Sequence, residues 1–101
     1  MQSFVILRQA GPNWLPDRPA RQQPFWTEHA QFIDRLFEAG KILLAGPFDD
    51  GSGALLIVAV ENERAAQTIF DDDPWTIQNI REKGEVKAWQ IFLNAFGKST
   101  I

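Results

Sequence analysis

The chain has 101 residues, of which 45% are hydrophobic and 23% charged, and its net charge is −3. This length predicts one globular domain over residues 1–101. The weak, dispersed negative charge argues against a nucleic-acid partner, which would require a basic patch. The absence of cysteine excludes disulfides, thiolate metal ligands and cysteine nucleophiles. No run approaches the ~20 apolar residues of a membrane span and no signal-peptide pattern is present, so we expect a cytoplasmic protein without a membrane partner.

A strand, a loop and a helix account for the first part of the chain. The apolar run at residues 4–7 predicts a strand. The prolines of the following loop, which extends to about residue 22, leave little room for regular structure. A helix is expected to start near Pro24, because proline suits the first helical turn, and to end at Gly40, a favourable residue after a helix.

The single histidine of the chain, His29, lies on the predicted buried face of this helix. The apolar side chains Phe32, Ile33, Leu36 and Phe37 form the core-facing stripe, and His29 precedes Phe32 by three residues and Ile33 by four. Imidazole has an unperturbed pKa of about 6.5, so it exchanges protons near neutral pH. His29 is therefore a candidate general acid or base. The alternative is a hydrogen-bonded, half-buried histidine without a catalytic role.

Two strands and a second helix follow in the middle of the chain. Residues 41–46 predict a strand that a Gly-Pro pair closes, and residues 54–60 predict a continuous, buried strand. Asn62 suits the N-cap of the second helix. This helix is expected to stop near Asp72, because the residue before a proline is pushed out of the α region.

The last part of the chain predicts a short helical turn and a final strand. Asp73 and Pro74 suit the N-cap and first position of a turn that continues through Ile80. Residues 86–93 alternate as a strand does. The order βαββαβ indicates an α+β, ferredoxin-like fold with a four-stranded antiparallel sheet. Two helices cover one face of such a sheet, so we expect the other face to pair with a second subunit as a homodimer.

Asp73 is the carboxylate that we expect to orient His29. It follows Ile69 by four residues and Phe70 by three, so it points inward if the helical course continues. A carboxylate next to an imidazole holds its tautomer and favours its charged form. The alternative is that Asp73 serves only as the N-cap before Pro74.

Four features occur together along the chain: the opening strand, His29, the tripeptide Ala45-Gly46-Pro47 and the tripeptide Asp73-Pro74-Trp75. In this order and spacing they resemble the YCII-related family of small dimeric α+β barrel proteins. The resemblance implies a ferredoxin-like domain that dimerises through its sheets, with His29 and Asp73 as an active-site pair. It also implies small-molecule chemistry, since the family includes elimination of chloride from a chlorinated hydroquinone. One histidine provides too few ligands for a usual zinc site, and neither a metal nor a cofactor is expected.

One position departs from the family pattern. The family often has an arginine three residues before the histidine, where this chain has Trp26. Arg18 and Arg21, in the preceding loop, are candidates to replace that arginine and bind an anion. The alternative is that both are solvated loop charges.

Aromatic residues are candidate walls of a ligand pocket. Trp14, Trp26 and Trp75 suit a flat, apolar ligand, and the alternative for each is packing in the core, in a lid or at a dimer interface. Pro47 and Phe48 follow the end of the second strand, where they either rim the cavity or form a turn.

Together with these residues, the resemblance implies a homodimer that carries out cofactor-independent elimination or isomerisation of a small, aromatic or dienone-like molecule. His29 moves the proton and Asp73 orients His29. The alternative is a non-catalytic module that binds a small ligand or only dimerises, in which His29 is packed with no cavity beside it.

Overall fold

The computed structural model describes residues 1–97 and has the predicted α+β, ferredoxin-like fold. The strands form one antiparallel sheet in the order β2-β3-β1-β4. No helix in this part of the chain combines the length and the apolar character that crossing a bilayer requires. The elements are β1 (Gln2–Gln9), α1 (Trp26–Glu38), β2 (Ile42–Pro47), β3 (Gly53–Val60), α2 (Glu63–Thr68), α3 (Pro74–Ile77) and β4 (Glu85–Ala88).

The core lies between the helices and one face of the sheet. Burial along β1 alternates with a period of two, so Phe4, Ile6 and Arg8 share the buried face while Val5 and Leu7 lie on the other face. Burial of one large apolar side chain contributes about 1.5–3 kcal/mol, so the buried cluster determines which face of each strand points to the helices. The cluster comprises Phe4, Ile6, Ile42, Leu56, Val58, Val60, Ala66 and Phe70.

The start of α1 differs from the prediction, since the helix begins at Trp26 rather than near Pro24. Phe25 has a left-handed backbone conformation with φ of 62°, which interrupts the helical course before Trp26. The carbonyl of Phe25 still accepts the first helical hydrogen bond, from the backbone N–H of His29 at 3.0 Å. His29 therefore lies in the first turn of α1, next to the loop.

The predicted core-facing stripe of α1 is correct at four positions and wrong at one. His29 is buried, and Phe32, Ile33 and Leu36 are half-buried. Phe37 is 60% exposed. At about 3.6 residues per turn, Phe37 falls at the edge of the arc that the other four side chains define.

The region from α2 to α3 brings Asp73 to a helix N-terminus. Asn62 caps α2 as predicted, since its side chain accepts a hydrogen bond from the backbone N–H of Ala65 at 2.9 Å. α2 ends at Thr68, earlier than the predicted boundary near Asp72, and turns connect it to α3. Asp73 has extended backbone angles and is the N-cap of α3, as the sequence predicted.

The last strand is shorter than predicted, because β4 ends at Ala88 whereas the alternating pattern extends over residues 86–93. β4 runs antiparallel to β1, with Ala88 opposite Phe4. The backbone N–H of Trp89 still donates to the carbonyl of Ser3 at 3.0 Å, but no strand pairing with β1 continues beyond Ala88 within residues 1–97. An alternating pattern shows that a segment suits a sheet, but it does not show where the neighbouring strand begins.

Candidate active site

The carboxylate of Asp73 contacts three other groups at the N-terminus of α3. Oδ1 accepts a hydrogen bond from the backbone N–H of Trp75 at 3.0 Å, which caps the helix. Oδ2 accepts a hydrogen bond from Nη1 of Arg8 at 2.7 Å. Nδ1 of His29 lies 2.9 Å from Oδ1 and 3.0 Å from Oδ2. Asp73 is completely buried, and it makes both the capping contact and the histidine contact considered from the sequence.

The ionisation of Asp73 determines which nitrogen of His29 carries the proton. Burial raises the pKa of the Asp73 carboxyl, but the hydrogen bonds and charges of His29 and Arg8 outweigh burial and hold this pKa below its ordinary value. An ionised carboxylate only accepts hydrogen bonds, so Nδ1 of His29 is the donor. Nε2 is then the ring nitrogen that remains for a ligand, and in the neutral imidazole it accepts a proton.

Arg8 also belongs to this cluster, although it is not among the site residues predicted from the sequence. Its Nε donates to the carbonyl of Glu82 at 2.7 Å and its Nη2 donates to Oγ1 of Thr76 at 2.9 Å. Burial lowers the pKa of Arg8, and the contact with Asp73 offsets part of this effect. The alternation of buried and less buried residues along β1 could have indicated Arg8. It places this cation on the buried face of the strand, where a charge requires a partner.

Aromatic rings restrain the imidazole of His29. The ring of Trp75 is stacked on it, with 3.8 Å between the ring centroids and 6° between the planes. The ring of Trp26 lies 5.8 Å from His29 and 5.7 Å from Trp75. The indole N–H of Trp75 donates to the carbonyl of Pro24 at 2.8 Å, which connects α3 to the loop before α1. His29 thus has one ring face covered and Nδ1 bonded, so its orientation is fixed.

A second buried cation, Arg81, follows α3. Its guanidinium carbon lies 4.4 Å from the ring centroid of Trp14 and 5.4 Å from that of Trp75. Arg81 is 4% exposed, and its Nη1 is buried without a hydrogen-bond partner within residues 1–97. Burial and then the charge of Arg8 lower the pKa of Arg81 to about 10, although the charge of Asp73 acts in the opposite direction. No sequence pattern marks this position, because it lies in an irregular segment.

A cavity of about 580 Å³ borders His29, which is within the usual range of small-molecule sites. Ile33 and Leu56 contribute apolar wall, while His29, Arg8 and Arg81 contribute polar groups. Another cleft, of about 570 Å³, also includes Arg81 but not His29. Within residues 1–97, no three or more histidine, cysteine or acidic side chains form a group that would hold a metal ion.

Four of the residues predicted to contact a ligand border the His29 cavity. They are Trp26, Trp75, Arg21 and Pro47. Trp75 is buried, Trp26 is half-buried, and Arg21 and Pro47 are exposed. Pro47 faces the cavity because it is the partner of Ala54 on the helix side of the sheet.

The other predicted contact residues do not border this cavity. Trp14 instead packs edge-on against Trp75, with ring centroids 5.6 Å apart. It therefore contacts a residue that borders the cavity without bordering the cavity itself. Phe48 is 42% exposed, and its backbone N–H donates to the carbonyl of Gly53 at 2.8 Å. It therefore belongs to the turn between β2 and β3, which was the alternative interpretation. Arg18 is exposed and does not border the cavity.

Comparisons with known proteins address the family of this chain. A search of the curated proteins found no match. Among solved structures, the chain is similar to the 5-chloro-2-hydroxyhydroquinone dehydrochlorinase of Burkholderia phenoliruptrix AC1100, in complex with 2,5-dihydroxybenzoquinone. The two are 23% identical with a TM-score of 0.59, over 87% of this chain and 93% of that chain, which supports the fold. The family model of the YCII-related domain matches residues 2–90. The chain therefore belongs to the YCII-related family.

Proposed function

We propose that this protein is a cofactor-independent acid–base enzyme that catalyses elimination or isomerisation of a small, aromatic molecule, with His29 as the proton carrier. The contact of His29 Nδ1 with the buried, ionised Asp73 beside a cavity carries this proposal. This arrangement leaves Nε2 with a lone pair and holds the ring in one orientation. Membership of the YCII-related family supports small-molecule chemistry.

In the proposed reaction, Nε2 of His29 takes a proton from a substrate carbon or from a hydroxyl conjugated with the reacting carbon. The electron pair of the broken bond forms a new double bond. In an elimination, a leaving group such as chloride departs with its own electron pair. In an isomerisation, the imidazolium returns the proton to another carbon. Asp73 stabilises the imidazolium between these steps, and a positioned acid–base group of this kind contributes roughly 10²–10⁴ in rate.

The cavity favours this proposal over a module that only dimerises. That alternative requires a packed His29 with no cavity beside it, whereas a cavity of about 580 Å³ borders the imidazole. The aromatic wall of Trp26 and Trp75 suits a flat ring. The dehydrochlorinase with the similar fold acts on a chlorinated hydroxyhydroquinone and was solved with a dihydroxybenzoquinone, which suggests monocyclic hydroquinones as the first compounds to test.

We also propose that the protein is a homodimer through the sheet face opposite the helices. Leu44, Ile57 and Val5 form an apolar row across three strands on this face, and Leu55 and Leu7 pair in the next row. Leu44 is 50% exposed and Val5, Leu7 and Leu55 are half-buried, whereas Ile57 is already buried. A second copy of the chain would cover the apolar surface that remains exposed on this face. Exposed apolar side chains continue after β4: Trp89, Phe92, Leu93 and Phe96 are 43%, 56%, 84% and 86% exposed.

Replacement of His29 by glutamine tests the catalytic proposal. Glutamine keeps an N–H that can donate to Asp73, but it has no nitrogen that accepts a proton. We expect the wild-type protein to release chloride from 5-chloro-2-hydroxyhydroquinone, the first substrate to test. We expect kcat of His29→Gln to fall by about 10²–10⁴-fold, with little change in thermal stability.

Glu28→Gln is the matched control, because Glu28 is exposed on the same helical turn and should have the wild-type rate. An undiminished kcat in His29→Gln would contradict the assigned role of His29. If monocyclic hydroquinones and dienones undergo neither elimination nor isomerisation with the wild-type protein, the non-catalytic binding module becomes the better description.

A further inference from the structure

The charges around the site do not balance. Arg8 and Arg81 are both buried, and Asp73 is the one buried carboxylate among the described residues. Asp73 accepts a hydrogen bond from Arg8 at 2.7 Å, whereas Nη1 of Arg81 has no hydrogen-bond partner in the part of the chain that the structure describes. With a neutral His29, this cluster has one positive charge in excess, and Arg81 is the cation that lacks a direct partner.

An unpaired buried cation is costly to the fold, so its presence calls for an explanation. The contacts of Arg81 with the rings of Trp14 and Trp75 provide part of the compensation through cation–π attraction. They provide no acceptor for Nη1. Burial also lowers the pKa of Arg81, because removal from water disfavours the charged form. A bound anion would reverse that effect and stabilise the protein.

The position of Arg81 identifies where the anion would lie. Arg81 and His29 border the same cavity, and both lie against the ring of Trp75, at 5.4 Å and 3.8 Å from its centroid. A ligand oxygen that Arg81 holds within this cavity therefore belongs to a molecule next to the imidazole. The guanidinium and the Trp75 ring also favour a planar ligand.

We propose that Arg81 binds an anionic oxygen carried by the aromatic ring of the ligand in the His29 cavity, such as a phenolate or a ring carboxylate. This inference rests on the proposed function, because it assigns the ligand class of that same site. It also explains how this chain could bind an anion although it has Trp26 where the family often has an arginine. The required cation comes from the segment after α3 rather than from Arg18 or Arg21 in the loop.

The probe for this proposal is 4-nitrophenol, whose phenolate absorbs visible light while its phenol form does not. At a pH where both forms are present, binding to the wild-type protein should increase the phenolate absorbance. The wild-type protein should also bind 4-nitrophenol about ten- to hundred-fold more tightly than 4-nitroanisole, which has the same ring but no ionisable oxygen. This comparison of two ligands does not depend on how any variant folds.

Variants then identify the group that stabilises the phenolate. Arg81→Met should lose the absorbance increase while its Tm stays at or above that of the wild type, because an unpaired buried charge has been removed. Arg81→Lys, which keeps a charge, should retain part of the increase. Arg35→Met is the matched control, because Arg35 is an exposed cation that does not border the cavity, and it should behave like the wild type.

His29 provides two further tests. The ring proton signals of His29, the single histidine, should shift as 4-nitrophenol binds, with the same Kd as the absorbance change. His29→Gln should retain the phenolate increase although it loses turnover, so failure of the proposed reaction and failure of this inference are separable.

Four results would overturn the inference: no phenolate increase in the wild type, an undiminished increase in Arg81→Met, loss of the increase in His29→Gln, or unmoved His29 signals. The last result would place the anion in the neighbouring cleft that shares Arg81.

Discussion

Among the residues of the site, Asp73 caps α3, pairs with Arg8 and contacts His29. The contribution of its charge can be measured by a single substitution. Asp73→Asn removes the ion pair with Arg8 and leaves that guanidinium buried with a neutral partner. Loss of one partner of a buried pair costs about 3–5 kcal/mol, so we expect a decrease of this size in the free energy of unfolding at neutral pH. Urea denaturation of the variant and the wild type measures it.

The same residue predicts how stability depends on pH. The pKa of Asp73 is below its ordinary value in the folded state. Its contribution is therefore present above the ordinary carboxyl pKa and is lost as the pH falls through the folded pKa. The difference in stability between wild type and Asp73→Asn should narrow in acid. Asp72→Asn, an exposed neighbour, is the control that should stay close to the wild type, and a difference that is constant with pH would contradict the assignment.

Between elements, the hydrogen bond from Trp75 to Pro24 joins α3 to the start of α1. Trp75→Phe keeps an aromatic ring for His29 to stack on, but it leaves the carbonyl of Pro24 without its donor. Pro24 is exposed, so water can replace the lost donor, and a typical net hydrogen bond contributes about 0.5–1.5 kcal/mol. We expect a loss of this size in unfolding experiments, together with faster amide exchange in the first turn of α1.

Trp26→Phe is the comparison for this change, because Trp26 is half-buried and touches the same rings. It should leave amide exchange in the first turn of α1 nearly unchanged. Equal effects of the two substitutions would mean that ring size, rather than the hydrogen bond, holds α1 to α3.

The sequence predicted the features that depend on neighbouring residues, and it missed those that depend on contacts between distant residues. Periodicity placed His29 on the buried face of α1, and turn chemistry placed Asp73 at the N-cap of α3. The starting point of α1 depended on the left-handed Phe25 and on a bond from the distant Trp75. No local pattern encodes such a contact.

For the whole molecule, the apolar row on the sheet face opposite the helices predicts association. Leu44→Lys places a charge in the apolar row of that face at a side chain that is already 50% exposed, so the fold should tolerate it. We expect the wild type to sediment as a dimer and Leu44→Lys as a monomer. Phe37→Lys, the same kind of change at an exposed position on α1, should remain a dimer. A monomeric wild type would contradict the proposed interface.

The net charge of the whole chain does not indicate the sign of the charge at the buried site. A net charge of −3 argues against a nucleic-acid surface, but it is a sum over mostly exposed groups. The buried centre has the opposite sign, because Arg8 and Arg81 face one carboxylate. Arg8 was recognisable in principle from the alternation of β1, whereas Arg81 required the tertiary structure.

The three contacts of Asp73 have a consequence for how this site changes in evolution. Selection for folding alone would preserve Asp73, since it caps α3 and neutralises Arg8. A descendant that had lost its chemistry would therefore still retain the aspartate. Nη1 of Arg81 has no hydrogen-bond partner among the described residues, so the Arg81 side chain would drift as soon as selection on the ligand was relaxed. The residue at position 81, rather than the residue at position 73, should distinguish descendants that keep the activity from those that have lost it.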